Sequence, residues 1–482
     1  MNNINGKKIL FFITILVKLA SQSFLTAQTR NIEITIHLRG VYESKIDLLS
    51  LSGTKQFKPI VKVQGIKNGE TAKLAVPKEN LPGEFVLRFD YKKKEESSPY
   101  PCETNIIIND QDLELWVNPV YCNTTDSTWF QQGERENSAF ALFTKENNRK
   151  KEKFGILQQF LMKYDDPKSK FYRQGIADYE QRCRAYNQWL DTCITRDKAL
   201  FVSRIYGLQF VPQINWEGTE KDRMFSVIQH YFDGIDFSDP VIAKTFQLKD
   251  WMDRYVNLYG QMATSVPLRD SLIPAAAKTA IEKARQGHPL VYGWMVDYFY
   301  KGFESNNIPD GMKVLEPYMN DPNCLTSKRM EIERRLKGIE TLLKGSKAPD
   351  ILLKDTDSSM FELYNYKTSS KYILLLFWSA ECPHCQETVS MLYPWQNWPE
   401  IQKKVSVIAI SLDEIETEVK AWNQKIKELA GWKHLRAVEG VRSKVASDYF
   451  VLSTPVMILL NAKTKEIISL PSSLTQLKAE LP

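Results

Sequence analysis

The chain is poor in the residues from which metal centres are built. It holds five histidines and seven cysteines in 482 residues. No cysteine follows Cys385, and the only later histidine is His434. A zinc site at the pair Cys382–Cys385 would need two further ligands, usually a second cysteine pair or a histidine pair, and none follows. The acidic stretch Asp233–Asp239 lacks the twelve-residue spacing and terminal Glu of a calcium loop. It reads instead as a turn and N-cap before a helix starting near Pro240. No metal and no cofactor is expected. Charge of one sign is also scarce: the net charge of +6 falls to +3 when Lys7, Lys8 and Lys18 are set aside as part of a removed leader. That is no footprint for nucleic acid. A 34-residue repeat is missing as well, which argues against a helical solenoid. No cysteine precedes Cys102, so a lipid-anchored leader cysteine is not expected.

What is present suggests several domains, two to four at roughly 100–200 residues each. Residues 1–27 read as an export signal. Lys7 and Lys8 precede the apolar run Ile9–Val17, broken only by Thr14, and a small-residue region follows. The run is too short to cross a bilayer, which takes about 20 apolar residues, so no transmembrane anchor is expected. The protein is expected to be exported, to the periplasm or cell envelope, where disulfides persist.

Residues 28–133 read as a β-sandwich-like domain. Ile32–Leu38 alternates with period two, Phe85–Tyr91, Asn105–Ile108 and Leu113–Val117 are further strands, and Asn68-Gly69, Pro82-Gly83 and Asn109-Asp110 supply turns. Cys102 and Cys122 could bridge within it, although spacing alone does not settle the connectivity of Cys102, Cys122, Cys183, Cys193 and Cys324. Residues 134–344 switch to helical periodicity. Phe140, Phe143, Phe154, Leu157, Phe160, Leu161 and Tyr164 recur at three- and four-residue steps, as do Tyr186, Trp189, Leu190 and Cys193. Such stripes are read as core. Residues 345–482 form an α/β domain, so the fold class is multi-domain: β-sandwich, α-helical middle domain, α/β C-terminal domain.

The stretch that carries chemistry is Lys371–Trp395. An apolar strand, Tyr372–Trp378, is followed by Ser379, Ala380, Glu381 and then Cys382-Pro383-His384-Cys385, after which Val389, Leu392 and Tyr393 fall at helical spacing. Strand, turn, CxxC and helix place one sulfur at a helix N-terminus. There the dipole and unpaired N–H groups favour the thiolate, the species that attacks disulfides. Thr454-Pro455 stands at the head of a second apolar strand, a place where proline is awkward unless it is cis and held beside the cysteines.

In combination, Ala348-Pro349-Asp350, Phe377-Trp378, Cys382–Cys385 and Thr454-Pro455 resemble secreted thioredoxin-fold thiol–disulfide oxidoreductases of the TlpA/ResA type over roughly residues 345–482. The resemblance implies Cys382 as an exposed nucleophile and Cys385 as a buried resolving thiol. It also implies Thr454 and Pro455 against the sulfurs and Trp378 as a wall of the site. Pro383 would stiffen the turn and His384 would lend positive charge to Cys382. The expected partners are protein or small thiol and disulfide substrates and a membrane-linked electron donor or acceptor. The chain departs from related proteins at Glu381, where many carry Trp, and at Leu376, where thioredoxins proper hold a buried Asp. Glu387 lies near but out of register with a family proton relay. The alternative is a non-enzymatic envelope scaffold with a redox-sensitive thioredoxin-like domain. A peroxidase would want Thr three residues before its reactive cysteine, where this chain has Ser379.

Overall fold

The computed structural model describes residues 30–52, 56–122, 124, 128–306, 308–356 and 359–481. The expected leader, residues 1–27, lies outside them. The chain divides into two compact units, residues 1–298 with 323–325, and residues 299–322 with 326–482.

The first unit opens with two four-stranded sheets. One has the order β4-β1-β7-β8 and the other β3-β2-β5-β6. The strands are β1 (Ile32–Leu38), β2 (Glu43–Ser52), β3 (Gln56–Lys67), β4 (Thr71–Val76), β5 (Gly83–Lys92), β6 (Tyr100–Ile108), β7 (Leu113–Val117) and β8 (Thr128–Phe130). Ile32, Ile34, Ile36 and Leu38 are all buried, as period-two alternation requires. They share one apolar cluster with Leu48, Phe85, Leu87 and Phe89 of the second sheet. Cys102 and Cys122 are disulfide-bonded, their Cα atoms 6.5 Å apart.

Helices follow: α1 (Glu136–Lys163), α2 (Lys170–Arg196), α3 (Val202–Tyr206), α4 (Glu220–Gln229), α5 (Phe246–Met262) and α6 (Val266–Arg285). Their core is aromatic, with Phe143 stacked 3.7 Å from Tyr206 and 5.5 Å from Trp189 between ring centroids. One residue of the expected stripe departs from it. Phe160 is 47% exposed, because its neighbour Leu161, about 100° around the helix, takes the fully buried position. Two buried carboxylates join elements within this unit, one tying a strand to a helix and one tying two helices. Glu84 of β5 accepts hydrogen bonds from the Thr245 hydroxyl and the Phe246 N–H, both 2.8 Å, at the start of α5. Glu136 of α1 accepts from the Phe201 and Val202 N–H groups at 2.9 and 3.1 Å.

Helix α7 (Pro289–Asn306) runs across the division at residue 298. The second unit holds α8 (Pro309–Met319) and α9 (Arg329–Thr341), then the hairpin of β9 (Leu352–Lys354) and β10 (Met360–Glu362). A five-stranded sheet follows with the order β13-β12-β11-β14-β15. Its strands are β11 (Tyr372–Trp378), β12 (Val405–Ser411), β13 (Lys433–Arg436), β14 (Val456–Asn461) and β15 (Ile467–Ser469). The first three run parallel, and β14 and β15 complete the sheet antiparallel.

Every residue of β11 is buried, and its alternation divides them between two cores. Ile373, Leu375 and Phe377 join the cluster that holds Tyr449 and Phe450. Tyr372, Leu374, Leu376 and Trp378 join the cluster that holds Cys385, Val389 and Leu392. A parallel strand covered on both faces carries no polar side chain, which is why this run is continuous rather than alternating. The covering helices are α10 (Pro383–Gln396), α11 (Pro399–Gln402), α12 (Glu416–Glu428), α13 (Lys444–Asp448) and α14 (Leu474–Ala479). Val441–Phe450 reads as one helix from its spacing. The structure instead has a 3-10 turn at Gly440–Arg442 and a five-residue helix whose N-cap is Ser443. The Ser443 hydroxyl accepts the Ala446 N–H at 3.2 Å, which starts a new helix where a continuous one would pass.

Candidate active site

Strands β11 and β12 are parallel and in register, Trp378 opposite Ser411. Their C-terminal ends therefore open at the same edge of the sheet. Here the chain leaves β11 through Ser379, Ala380 and Glu381, and Cys382 becomes the N-cap of α10 with Pro383 in its first turn. Pro383 suits this place because the N–H it lacks would have no helical partner there. The Cys385 N–H donates to Cys382 Sγ at 3.3 Å. Cys382 Sγ in turn lies 3.6 Å from the Thr454 carbonyl oxygen, to which its thiol donates. Pro455 follows Thr454 through a cis peptide bond.

The two sulfurs differ in setting. Cys382 is half-buried and Cys385 is fully buried. Burial, together with the Cys382 sulfur beside it, pushes the Cys385 thiol up to about 12, while hydrogen bonds from the Thr454 side chain and the Ser379 backbone pull the other way. Trp378 is fully buried beneath the pair, in the same cluster as Cys385. Its indole Nε1 has no hydrogen-bond partner among the described residues.

Of the residues singled out in the sequence, Cys382, Cys385, Trp378, Thr454 and Pro455 come together. Pro383 is exposed on the rim. The side chains of His384 and Glu387 are exposed too, and neither hydrogen-bonds to a sulfur among the described residues.

One residue of the site is not singled out by any motif. Asp413, two residues past the end of β12, is fully buried. Its carboxylate accepts the Ser379 hydroxyl at 2.5 Å, the Ala380 N–H at 3.1 Å to each oxygen, and the Ser411 hydroxyl at 2.8 Å. The signal that could have found it is an acidic residue directly after a buried parallel strand. Among the described residues no cluster of three metal-ligating side chains forms.

The sheet order, the cysteine pair at the helix start and the cis proline opposite it define a thioredoxin-like domain. In keeping with this, residues 344–469 match the AhpC/TSA family. The curated proteins give no match. Among solved structures, a thioredoxin-like protein from Bacteroides caccae is similar at 18% identity, with 56% of this chain and 95% of that one covered and a TM-score of 0.37. A thiol-disulfide oxidoreductase from Bacteroides fragilis is similar at 24% identity over 28% of this chain and 96% of its own, TM-score 0.25. The thioredoxin domain of a thiol-disulfide oxidoreductase from Bacteroides vulgatus is similar at 24% identity over 29% and 94%, TM-score 0.25.

Proposed function

We propose that this protein is an exported thiol–disulfide oxidoreductase of the TlpA/ResA type, working through Cys382 and Cys385 at the periplasmic or envelope side. The observation that carries the reading is the asymmetry of the pair. One sulfur is accessible at a helix N-terminus and receives an N–H hydrogen bond, and the other is buried one turn on.

The reaction runs in two steps. The Cys382 thiolate attacks one sulfur of a substrate disulfide, the substrate S–S bond breaks, and the displaced thiolate leaves with its electron pair and takes a proton from solvent. The Cys385 thiol then loses its proton and attacks Cys382 Sγ. The mixed disulfide breaks, the second substrate thiolate leaves, and a Cys382–Cys385 disulfide remains. The substrate gains two electrons and the protein loses two. A dithiol donor, linked to the membrane in this reading, returns the protein to its reduced form. In an oxidant the same steps run in reverse. The β-strand and helical regions before residue 345 serve as a β-sandwich and a helical module that hold a partner or a surface.

A peroxidase would need a hydroxyl three residues before the reactive cysteine aimed at the peroxide. Ser379 stands there, but its hydroxyl is given to Asp413, which favours disulfide exchange.

The test is exchange of the reduced protein with glutathione disulfide. Wild type closes the Cys382–Cys385 disulfide, C382S does not react, and C385S stops at a mixed disulfide on Cys382. A wild-type protein that stays reduced would leave the scaffold reading in its place. The equilibrium position gives direction: a potential near about −270 mV marks a reductant and one near about −120 mV an oxidant.

A further inference from the structure

The turn that delivers Cys382 is not held by its own residues alone. The Leu412 N–H donates to the Trp378 carbonyl at 2.9 Å. Asp413 takes the next two residues, Ser379 through its hydroxyl and Ala380 through its N–H. The Ala380 carbonyl accepts Gln386 Nε2 at 2.8 Å, from the first turns of α10. The Ser379 carbonyl accepts the Cys382 N–H at 3.4 Å. Thus one segment, Trp378–Ala380, is tied to Cys382 through the Ser379 carbonyl and, through Gln386, to the helix turn that carries Cys385, and among the described residues its only side-chain anchor outside α10 is the Asp413 carboxylate.

That carboxylate is itself immobilised. The Ser411 hydroxyl donates to Oδ2 while accepting the Asp413 N–H at 3.1 Å, and Arg436 Nη1 donates to the Asp413 carbonyl at 3.2 Å. Among the described residues the carboxylate has no cationic partner, so every bond it accepts comes from a hydroxyl or a backbone N–H. A charged acceptor with about four lone-pair sites can take all of these at once, and each charge-assisted bond is stronger than a neutral one.

We propose that Asp413 is a positioning residue of the dithiol site, anchoring the Ser379–Ala380 step so that Cys385 is aligned for its attack on Cys382. The role rests on the oxidoreductase reading above. It concerns the second chemical step, in which the Cys385 thiolate must approach along the axis of the breaking bond between Cys382 Sγ and the substrate sulfur. Misplacement by about 1 Å costs such a step roughly a hundredfold. The first step, attack by Cys382 on an outside disulfide, carries no such demand, because the substrate chooses its own approach. Loosening the anchor therefore separates the two steps, whereas a general loss of packing slows both.

The experiment follows the reduced full-length protein after addition of glutathione disulfide, with acid quenching and intact mass to count the glutathione adduct on Cys382. In wild type the adduct is transient. In D413A the adduct forms at the wild-type rate but resolves about tenfold or more slowly, the size expected for lost bonds to a charged group. D413N restores most of the resolution rate, because its amide oxygen accepts from Ser379 and Ala380 while its NH2 donates to Ser411 Oγ. D413A resolving at the wild-type rate overturns the proposal, and so does equal slowing of both steps. If D413A does not fold, S379A carries the test, since it leaves Asp413 its bonds to Ser411 and Ala380. Slowed resolution in S379A supports the role and a wild-type rate overturns it. A wild-type protein that forms no adduct and no disulfide overturns the oxidoreductase reading itself, and this role with it.

Discussion

Gly338 of α9 sits against Phe450 so closely that a β-carbon on the glycine would lie 2.7 Å from the Phe450 Cβ. Helix α9 thus meets the segment that follows α13 backbone-first, and Leu342 just beyond it belongs to the same apolar cluster as Phe450. Phe450 holds a φ of 51°, so its backbone has little freedom to retreat.

Gly338→Ala sets two effects against each other. Alanine favours a helix interior over glycine by about 1 kcal/mol, whereas overpacking a filled site costs about 1–3 kcal/mol. The contact is with a Cβ, not the far end of a flexible chain, so the second effect wins. Thermal unfolding should show G338A less stable than wild type. A rise in melting temperature would mean that α9 does not dock here.

Glu84 is buried, and burial raises its carboxyl above the ordinary range despite the bonds from Thr245, Phe246 and Asn105. A raised carboxyl contributes stability that is present below the unfolded value and lost as pH rises through the folded one. Glu84→Gln removes that loss and keeps an acceptor, so its stability should equal or exceed wild type at pH 8. Glu84→Ala leaves the donors unmatched and should cost about 1–3 kcal/mol. Denaturant titrations at pH 5 and pH 8 decide it.

The resolving step should quicken with pH. Cys385, pushed up to about 12 in the reduced dithiol, stays raised by burial in the mixed disulfide, so its thiolate fraction grows about tenfold per pH unit through neutrality. Quenched-flow rates for loss of the mixed disulfide should rise steeply from pH 7 to 9. The stability linkage has the opposite sign: the raised thiol supports the reduced fold below about 8.5, the free value, and that support fades as pH climbs toward 12. A flat rate profile would show that Cys385 is not the attacking group.

Lys151 of α1 is held down to about 7 by burial and by the nearby Arg254 charge. Its ammonium donates to Gln209 Oε1 at 2.8 Å and has no ion pair among the described residues. Between about 7 and the ordinary lysine value the unfolded chain binds the extra proton, so stability contributed by this group rises with pH in that window. After 13C-methyl labelling, one lysine resonance should titrate near neutrality and vanish in K151Q. If all lysines titrate near their ordinary value, the group is solvated.

Much of the site was legible because its signals are local. Cys382-Pro383-His384-Cys385 names its own helix start, and Tyr372–Trp378 is too continuous and too short for anything but a buried strand. Asp413 was not legible. It lies 31 residues from Cys382 along the chain and meets Ser379 only because β11 and β12 are parallel neighbours. His384 is the converse case. Adjacency to the cysteines suggests contact with Cys382, but at the second helical position its side chain projects outward, and it is exposed. Strands β2 and β3 carry no clean apolar alternation to set them apart, and β13 is four residues of mixed polarity. Their pairing partners rather than their own residues make them strands.

By itself, the sequence determined the order of strand-rich, helix-rich and α/β regions, the helix that begins at Cys382, and the apolar content of β11. Each follows from periodicity or capping within about ten residues. Tertiary structure alone decided that Cys102 meets Cys122, that the Thr454 carbonyl meets Cys382, and that Asp413 anchors the turn before the cysteines. These are contacts between residues 20 to 72 positions apart. Their energies depend on sheet order and burial, which no local window contains.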